Sequence, residues 1–343
     1  MQYTRDVVPC RHAALSCRDR NAVKVYLSLY TAHKTHTLTS VLLHLYCYIC
    51  IVGQLQHIGG QHQGKDIMKK TIKFGVWFVL GCIALLVALD IWGIATLGSI
   101  TVESNPAINK DANKVVMVFG ATGSVGDGLL KAAEEDPNVD KVYVVTRRTS
   151  PRIEAGVASG KVIVKMHKDF TDYASLSDIL GQVNTVMWGL GTTSIGVDDA
   201  TYTVIHVDFP VAFVKAWLSE RQDAPMSFHY VTGMGTDPNG DQQWAREKGR
   251  AENELATLAQ GTGLRTFSYR SAFVRPTSEQ ASGAHYFMEA ALRPGSLVIS
   301  AKELGEAMLE ISARATELKN GTLIDNADSI AYAKAYEKRV LNQ

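Results

Sequence analysis

Apolar residues follow three different spacings along this chain of 343 residues. From Phe74 to Leu89, sixteen residues pass without a charge, behind a basic start at Met68-Lys69-Lys70-Thr71-Ile72-Lys73. Continued past Asp90 to Ile100, the run reaches 27 residues, enough for a helix to cross a bilayer with Asp90 near one interface. From Lys114 onward, short apolar runs, partly β-branched, alternate with longer segments of helical period. The runs predict strands at 114–119, 141–146, 161–165, 184–189, 226–232 and 264–270. Helices are predicted near 124–135, 172–180, 200–220, 242–260, 301–318 and 325–340; in the fifth of these Leu304, Ala307, Met308, Ile311, Ala315 and Leu318 form one stripe. This alternation specifies an α/β fold, a doubly wound parallel sheet with helices on both faces, preceded by a membrane-type helix.

Before the membrane-type run, residues 1–67 show no sustained period, with one apolar stretch from Val41 to Val52. They read as a poorly ordered extension that is not native to the working protein, whose natural start would be Met68. Residues 68–100 then form a signal anchor or a signal peptide. The small residues Ala95, Gly98 and Ser99 suit cleavage; the length of the run favours the anchor. Residues 101–113, polar and containing Pro106, read as a linker, and 114–343 as the α/β domain.

Charge sharpens that division. Residues 1–73 carry ten Lys/Arg against three Asp/Glu, and the remainder 25 against 31. The acidic α/β part is therefore a poor partner for nucleic acid. All five cysteines (Cys10, Cys17, Cys47, Cys50, Cys82) precede it, which excludes disulfides and thiol catalysis there. Cys47 and Cys50, near His44 and His57, lack the second well-spaced ligand pair of a zinc site, so no metal is expected.

The chemistry begins at KVVMVFGATGSVG, Lys114 to Gly126. An apolar strand turns on Gly120, Gly123 and Gly126 into a helix, the context that gives a glycine motif meaning. Here the chain approaches a pyrophosphate and points a helix N-terminus at it, as in a Rossmann dinucleotide site, with Thr122, Ser124 and Val125 in the same turn. The second strand ends in Thr146-Arg147-Arg148, with no Asp or Glu from Lys141 to Arg152. Arginine at this position accommodates a 2′-phosphate, so NADP is the expected cofactor. The bland alternative is a pair of solvated arginines.

These segments resemble the atypical short-chain dehydrogenases/reductases, in particular the NAD(P)-binding, Tat-interacting-oxidoreductase-like group. The likeness runs through FGATGSVG, TRR, Asp169-Phe170, GLGTT at 189–193, HVDFP at 206–210, REKGRAENEL at 246–255 and SAKELGEAML at 300–309. It implies that Asp169 and Phe170 lie beside the adenine and that Leu190, Gly191 and Thr192 line the cofactor. It also implies a Tyr-x-x-x-Lys pair with a preceding Ser or Thr. Here Trp244 stands in the tyrosine's place, Lys248 matches the lysine, and Thr232 stands for the hydroxyl residue. Indole cannot give up a proton near neutrality. Tyr30 and Lys34, the one true Tyr-x-x-x-Lys spacing, lie in the N-terminal extension, and Arg270-Ser271-Ala272-Phe273 replaces the family's Arg-Pro-Gly. Trp244 and Lys248 have a plain alternative as neighbours one helical turn apart, and His206 and His229 are expected as core or rim residues.

The expectation is thus a membrane-anchored, NADP-binding protein, with an N-terminal single pass through residues 74–100. As an enzyme it moves hydride between NADPH and an unidentified organic carbonyl, alkene or alcohol. Lys248 and Thr232 then position the reactants, and the proton comes from water or from Asp237 or Asp241. As the alternative, it is a catalytically weak NADPH sensor or scaffold acting through a protein partner. Lysines before the apolar run put the N-terminus in the cytoplasm and the α/β domain across the membrane, where Asn320-Gly321-Thr322 becomes a glycosylation acceptor.

Overall fold

Strand propensity and helical stripes resolve into seven parallel strands, in the order β3 (Val162–Met166), β2 (Lys141–Thr146), β1 (Val115–Phe119), β4 (Thr185–Trp188), β5 (Met226–Val231), β6 (Leu264–Arg270) and β9 (Thr322–Asp325). The computed structural model describes residues 63–96, 98–314 and 317–341. The chain divides into two compact units, Met1–Val79 and Leu80–Gln343. In the first, the described residues are helical; the second holds the sheet. Cys47, Cys50, His44, His57, Tyr30 and Lys34 lie outside the described residues.

Helix α1 (Gln63–Thr96) begins five residues before Met68, so the expected boundary there is not a break in the helix. Its segment Thr71–Gly93, 23 residues of mean hydropathy 2.4, is long and apolar enough to cross a membrane. Its large apolar side chains are exposed: Phe74 and Trp77 are each 73 % accessible. Strand β1 (Val115–Phe119) leads through the glycine turn into α2 (Ser124–Glu135). There follow β2 (Lys141–Thr146), α3 (Pro151–Ala158), β3 (Val162–Met166), the short α4 (Ser177–Leu180) and β4 (Thr185–Trp188). Next come α5 (Asp199–Thr203), a π turn (Val204–Asp208), α6 (Phe209–Glu220), β5 (Met226–Val231), α7 (Gln243–Leu258) and β6 (Leu264–Arg270). The chain ends with β7 (Phe273–Arg275), α8 (Gly283–Leu292), β8 (Val298–Ser300), α9 (Ala301–Ala313), β9 (Thr322–Asp325) and α10 (Asn326–Leu341). Strands β7 and β8 pair with each other in a separate two-stranded ribbon.

Each face of the sheet carries its own core. One face packs Val116, Val118, Leu129, Leu130, Leu304 and Met308 beneath α2, α9 and α10. The other is aromatic, with Phe119, Trp188, Phe213, Trp217 and Phe228 stacked beneath α6 and α7. His229 is a core residue as expected, 2.7 Å from both the Tyr269 hydroxyl and Ser312 Oγ. Burial drives its pKa down to about 3, so it stays neutral.

Three expectations are corrected here. The stretch 101–113 is not a free linker. The Ile100 amide donates to Asp328, the Glu103 amide donates to Glu317, and the Glu103 carbonyl accepts from Arg314. The helix predicted over 301–318 stops at Ala313, because Arg314 leaves the axis to bridge Ile108 and to pair with buried Glu310 (2.8 Å). Asn320 is no open glycosylation acceptor: its Nδ2 donates to the Ala256 carbonyl at 2.8 Å, and its Oδ1 accepts from the Thr266 amide and hydroxyl. The elements missed in the sequence are α3, α8, β7, β8 and β9. The strands have three or four residues each and are too short to show a period, and α3 and α8 are short helices of eight and ten residues.

Candidate cofactor site

The site lies at the carboxyl ends of β1, β2, β4, β5 and β6, where a doubly wound sheet places its ligands. Gly120 turns the chain with φ +75°, and a Cβ there would fall 2.5 Å from the Gly189 carbonyl carbon. At Gly126 a Cβ would collide with the Gly120 carbonyl, so helix α2 sits directly on the turn. Gly123 caps α2 without a side-chain hydrogen bond, and Gly123 and Ser124 are exposed. The first amides of the helix are thus open toward an anion, flanked by Thr122 and Val125.

Tertiary packing brings the arginines of β2 to this turn. Arg148 Nε donates to Thr122 Oγ1 at 3.2 Å, while Thr146 Oγ1 donates to the Arg148 carbonyl and fixes the bend. Arg147 lies over the Phe170 ring, 6.0 Å from its centre. Both arginine residues are exposed. Asp169, exposed beside Phe170, accepts from the Thr171 hydroxyl and amide, which hold its carboxyl below the usual range.

The loop after β4 carries Leu190, Gly191 and Thr192, and one side chain latches it. His206 Nε2 receives the Thr192 amide at 3.2 Å and lies 3.1 Å from the Thr192 carbonyl. A Cβ on Gly191 would press on the imidazole at 2.8 Å. Burial, and then the Lys248 charge, lower the His206 pKa to about 4, so the latch is a neutral ring. His206 is indeed buried, but it is more than a core histidine. The π turn that places it has no signature in the sequence.

At the other end of the site, Lys248 Nζ on α7 donates to the Thr232 carbonyl at 2.5 Å, and burial lowers its pKa to about 8. Thr232 does not present a free hydroxyl: its Oγ1 donates to the Tyr269 carbonyl at 3.2 Å. In this arrangement its proton is directed to the neighbouring strand, and its lone pairs remain as acceptors. Trp244, half-buried in the first turn of α7, packs 3.5 Å from where a Gly235 Cβ would stand. Of the two loop acids, Asp237 borders a cavity of about 490 Å³ with Met234, Thr236, Arg270, Asp325 and Thr96, whereas Asp241 does not line it.

Two groups escaped the sequence reading. Asp127, buried in the first turn of α2, accepts from Arg152 (2.8 Å) and from Thr277 (2.6 Å), which ties the segment after β7 to the cofactor helix. An acid falling among Gly126, Leu129 and Leu130 on the buried side of that helix was the available signal. Ser271 Oγ, just after β6, is buried without a hydrogen-bond partner among the described residues, and the Ser271 carbonyl accepts from the Met234 amide beside the site. Arg270 next to it is engaged by buried Glu252 at 2.7 Å. Among the described residues, no group of three or more His, Cys, Asp or Glu is placed to hold a metal.

With this geometry in hand, the likeness to known proteins can be placed. No family model matches the chain. It is 26 % identical over 144 residues to leucinostatins biosynthesis cluster protein T of Purpureocillium lilacinum, covering 41 % of this chain and 51 % of that protein. It is 30 % identical over 151 residues to protein FMP52, mitochondrial, of Candida glabrata (43 % and 59 % covered). The Saccharomyces cerevisiae protein of the same name is 27 % identical over 146 residues (41 % and 59 %). The chain thus spans about half to three-fifths of the length of these relatives. Among solved structures, it is similar to an oxidoreductase of the short-chain dehydrogenase/reductase family from Burkholderia thailandensis, with TM-score 0.48 and 16 % identity, covering 67 % of this chain and 98 % of that one. The fold is the Rossmann fold, by its own strand order and glycine turn.

Proposed function

We propose that this chain is an NADP(H)-binding protein of the atypical short-chain dehydrogenase/reductase type, a membrane-anchored oxidoreductase that works without the usual tyrosine. The observation that carries the cofactor reading is the pair of exposed guanidinium groups beside the glycine turn, Arg148 bonded to Thr122 and Arg147 resting on Phe170. Planar, permanently charged forks in that place match a 2′-phosphate. The uncapped first turn of α2 fits the pyrophosphate, Asp169 and Phe170 flank the adenosine end, and the latched loop Leu190–Thr192 borders the middle. The partnerless Ser271 hydroxyl and the Lys248 ammonium fit the polar groups at the nicotinamide end.

Bound there, the cofactor would supply or accept a hydride. The chain's own residues orient it: Lys248, fixed by the Thr232 carbonyl, holds a positive charge at this end, and Trp244 covers the loop after β5. The Trp244 indole cannot donate the accompanying proton, which leaves water, Asp237 at the cavity, or the Ser271 hydroxyl. A second reading, the NADPH sensor or scaffold, is favoured by Trp244 and by the committed Thr232 hydroxyl.

One pair of measurements separates the two. The full chain in detergent is titrated with NADPH and NADH, and NADPH oxidation is followed across a panel of carbonyls and activated alkenes. Tighter binding of NADPH with turnover supports the enzyme, tighter binding without turnover supports the sensor, and equal affinity for both cofactors overturns the NADP reading.

For location we infer a single-pass anchor through α1, in a mitochondrial membrane by analogy with the yeast relatives named as mitochondrial. The lysines before the apolar run place the domain on the side away from the cytosol. Protease protection in sealed organelles is the expected outcome, and degradation without detergent overturns the orientation.

A further inference from the structure

Helix α8 is built inside out. Ala284, Phe287, Met288 and Ala291 recur at i, i+3, i+4 and i+7, and all four are exposed, Phe287 by 73 %. No residue of the helix is buried. Of the three half-covered positions, His285, Glu289 and the terminal Leu292, two are polar. His285 stacks on Phe273, and Glu289 pairs with Arg275 and Arg293, each at 2.8 Å. In water a helix turns its apolar stripe inward, so this pattern calls for an apolar environment outside.

The placement of α8 says which environment that is. Within the second unit, Gly295, three residues beyond the end of α8, packs backbone to backbone against the last turns of α1. A Cβ on Gly93 would collide with the Gly295 carbonyl, and a Cβ on Gly295 would lie 3.2 Å from the Leu89 carbonyl. Gly93 is buried by this contact and is also the last residue of the apolar segment Thr71–Gly93. The point where that segment ends is thereby held next to the end of α8. The side chain of Arg293, which directly follows α8, is 73 % exposed, a cation of the kind that lipid phosphates attract.

We propose that α8 lies in the interface of the same bilayer that α1 crosses, with Phe287 and Met288 among the acyl chains and Arg293 at the headgroups. The proposal rests on the reading of α1 as a membrane span. It makes α8 a second, peripheral contact that fixes how the domain sits on the lipid surface, in the manner of an interfacial amphipathic helix.

The test uses the full chain in vesicles of phosphatidylcholine with a minority of phosphatidylserine, doped with a lipid that bears a diazirine on its acyl chain. After irradiation, labelled peptides are read by mass spectrometry. Label on both the α1 and α8 peptides is expected. Phe287→Asp with Met288→Asp should lower label in the α8 peptide by about tenfold while sparing α1, because carboxylates are expelled from acyl chains. Label on α1 with none on α8 overturns the inference and leaves the span standing; absence of label from both overturns the two together. Label on α8 that the double substitution does not reduce, or crosslinking of α8 to a second copy instead of lipid, also overturns it.

Discussion

The two ends of the sheet's carboxyl edge have diverged in different degrees. At the end formed by β1 and β2 stand a tight glycine turn, an uncapped helix start, two exposed guanidinium forks and an aromatic shelf in Phe170. At the end formed by β5 and β6, a buried lysine, Lys248, is bonded to the Thr232 carbonyl among groups of a different kind. Trp244 packs on the loop at Gly235, Thr232 donates its hydroxyl to the Tyr269 carbonyl, and Ser271 brings a buried hydroxyl with no hydrogen-bond partner among the described residues. In the proposed function, holding a cofactor and moving a proton fall to these two separate ends. The first depends on backbone geometry and fixed charge, the second on one titratable group at one position.

The sharpest way to break the comparison is at the glycine turn. Gly126→Ala puts a Cβ into the Gly120 carbonyl, and NADPH affinity should fall by about a thousandfold as the pyrophosphate cradle opens. Calorimetric titration measures it, with thermal melting to show that the domain still folds; unchanged affinity would remove the cradle from the argument. Next in size is Trp244→Tyr. If only the acid is lacking beside Lys248, restoring a phenol should raise NADPH oxidation by about a hundredfold on substrates that already react slowly. No gain in a variant that still binds NADPH would show that the far end has lost more than its acid.

Arg147→Ala with Arg148→Ala should weaken NADPH by about thirtyfold and leave NADH unchanged, since two charge-assisted contacts disappear from the 2′-phosphate alone. Equal loss for both cofactors would place the arginines elsewhere on the ligand. The smallest effect concerns Lys248, whose pKa burial lowers to about 8. Wild-type NADPH affinity should decline by about tenfold as pH rises past that value, and Lys248→Met should flatten the profile. The sign for folding is opposite. Between about 8 and 10.5 the unfolded chain binds the lysine proton and the folded chain does not, so this residue's contribution to stability rises with pH. Melting curves at pH 7 and 9 of wild type and Lys248→Met separate the two effects.

Legibility followed chain length in a physical sense. The six strands read from apolar runs were found within one or two residues, because burial on both faces of a parallel sheet demands uninterrupted apolar residues. Strand β9 is a full member of the sheet but offers only Thr322 to Asp325, with Leu323 exposed, so its run cannot stand out from a loop. The glycine turn, the arginines of β2 and Lys248 were likewise visible, since each is a local pattern with a fixed spacing. The latch of His206 on Thr192, the tie of Asp127 to Thr277 and the orphan hydroxyl of Ser271 were not, because each depends on residues that meet only after the sheet has formed.

By itself, then, the order of residues determined the alternating α/β architecture, the apolar helix before it and the dinucleotide turn, all of which rest on periodicity and backbone freedom within a few residues. Only the tertiary structure decided what long-range contacts settle. The stretch after α1 is fastened to α10 and to Arg314 at the end of α9, Thr232 donates its hydroxyl to the Tyr269 carbonyl, and α8 turns its apolar stripe outward beside the end of α1. Hydrogen-bond partners and exposure depend on what packs from distant parts of the chain, and no local pattern carries that information.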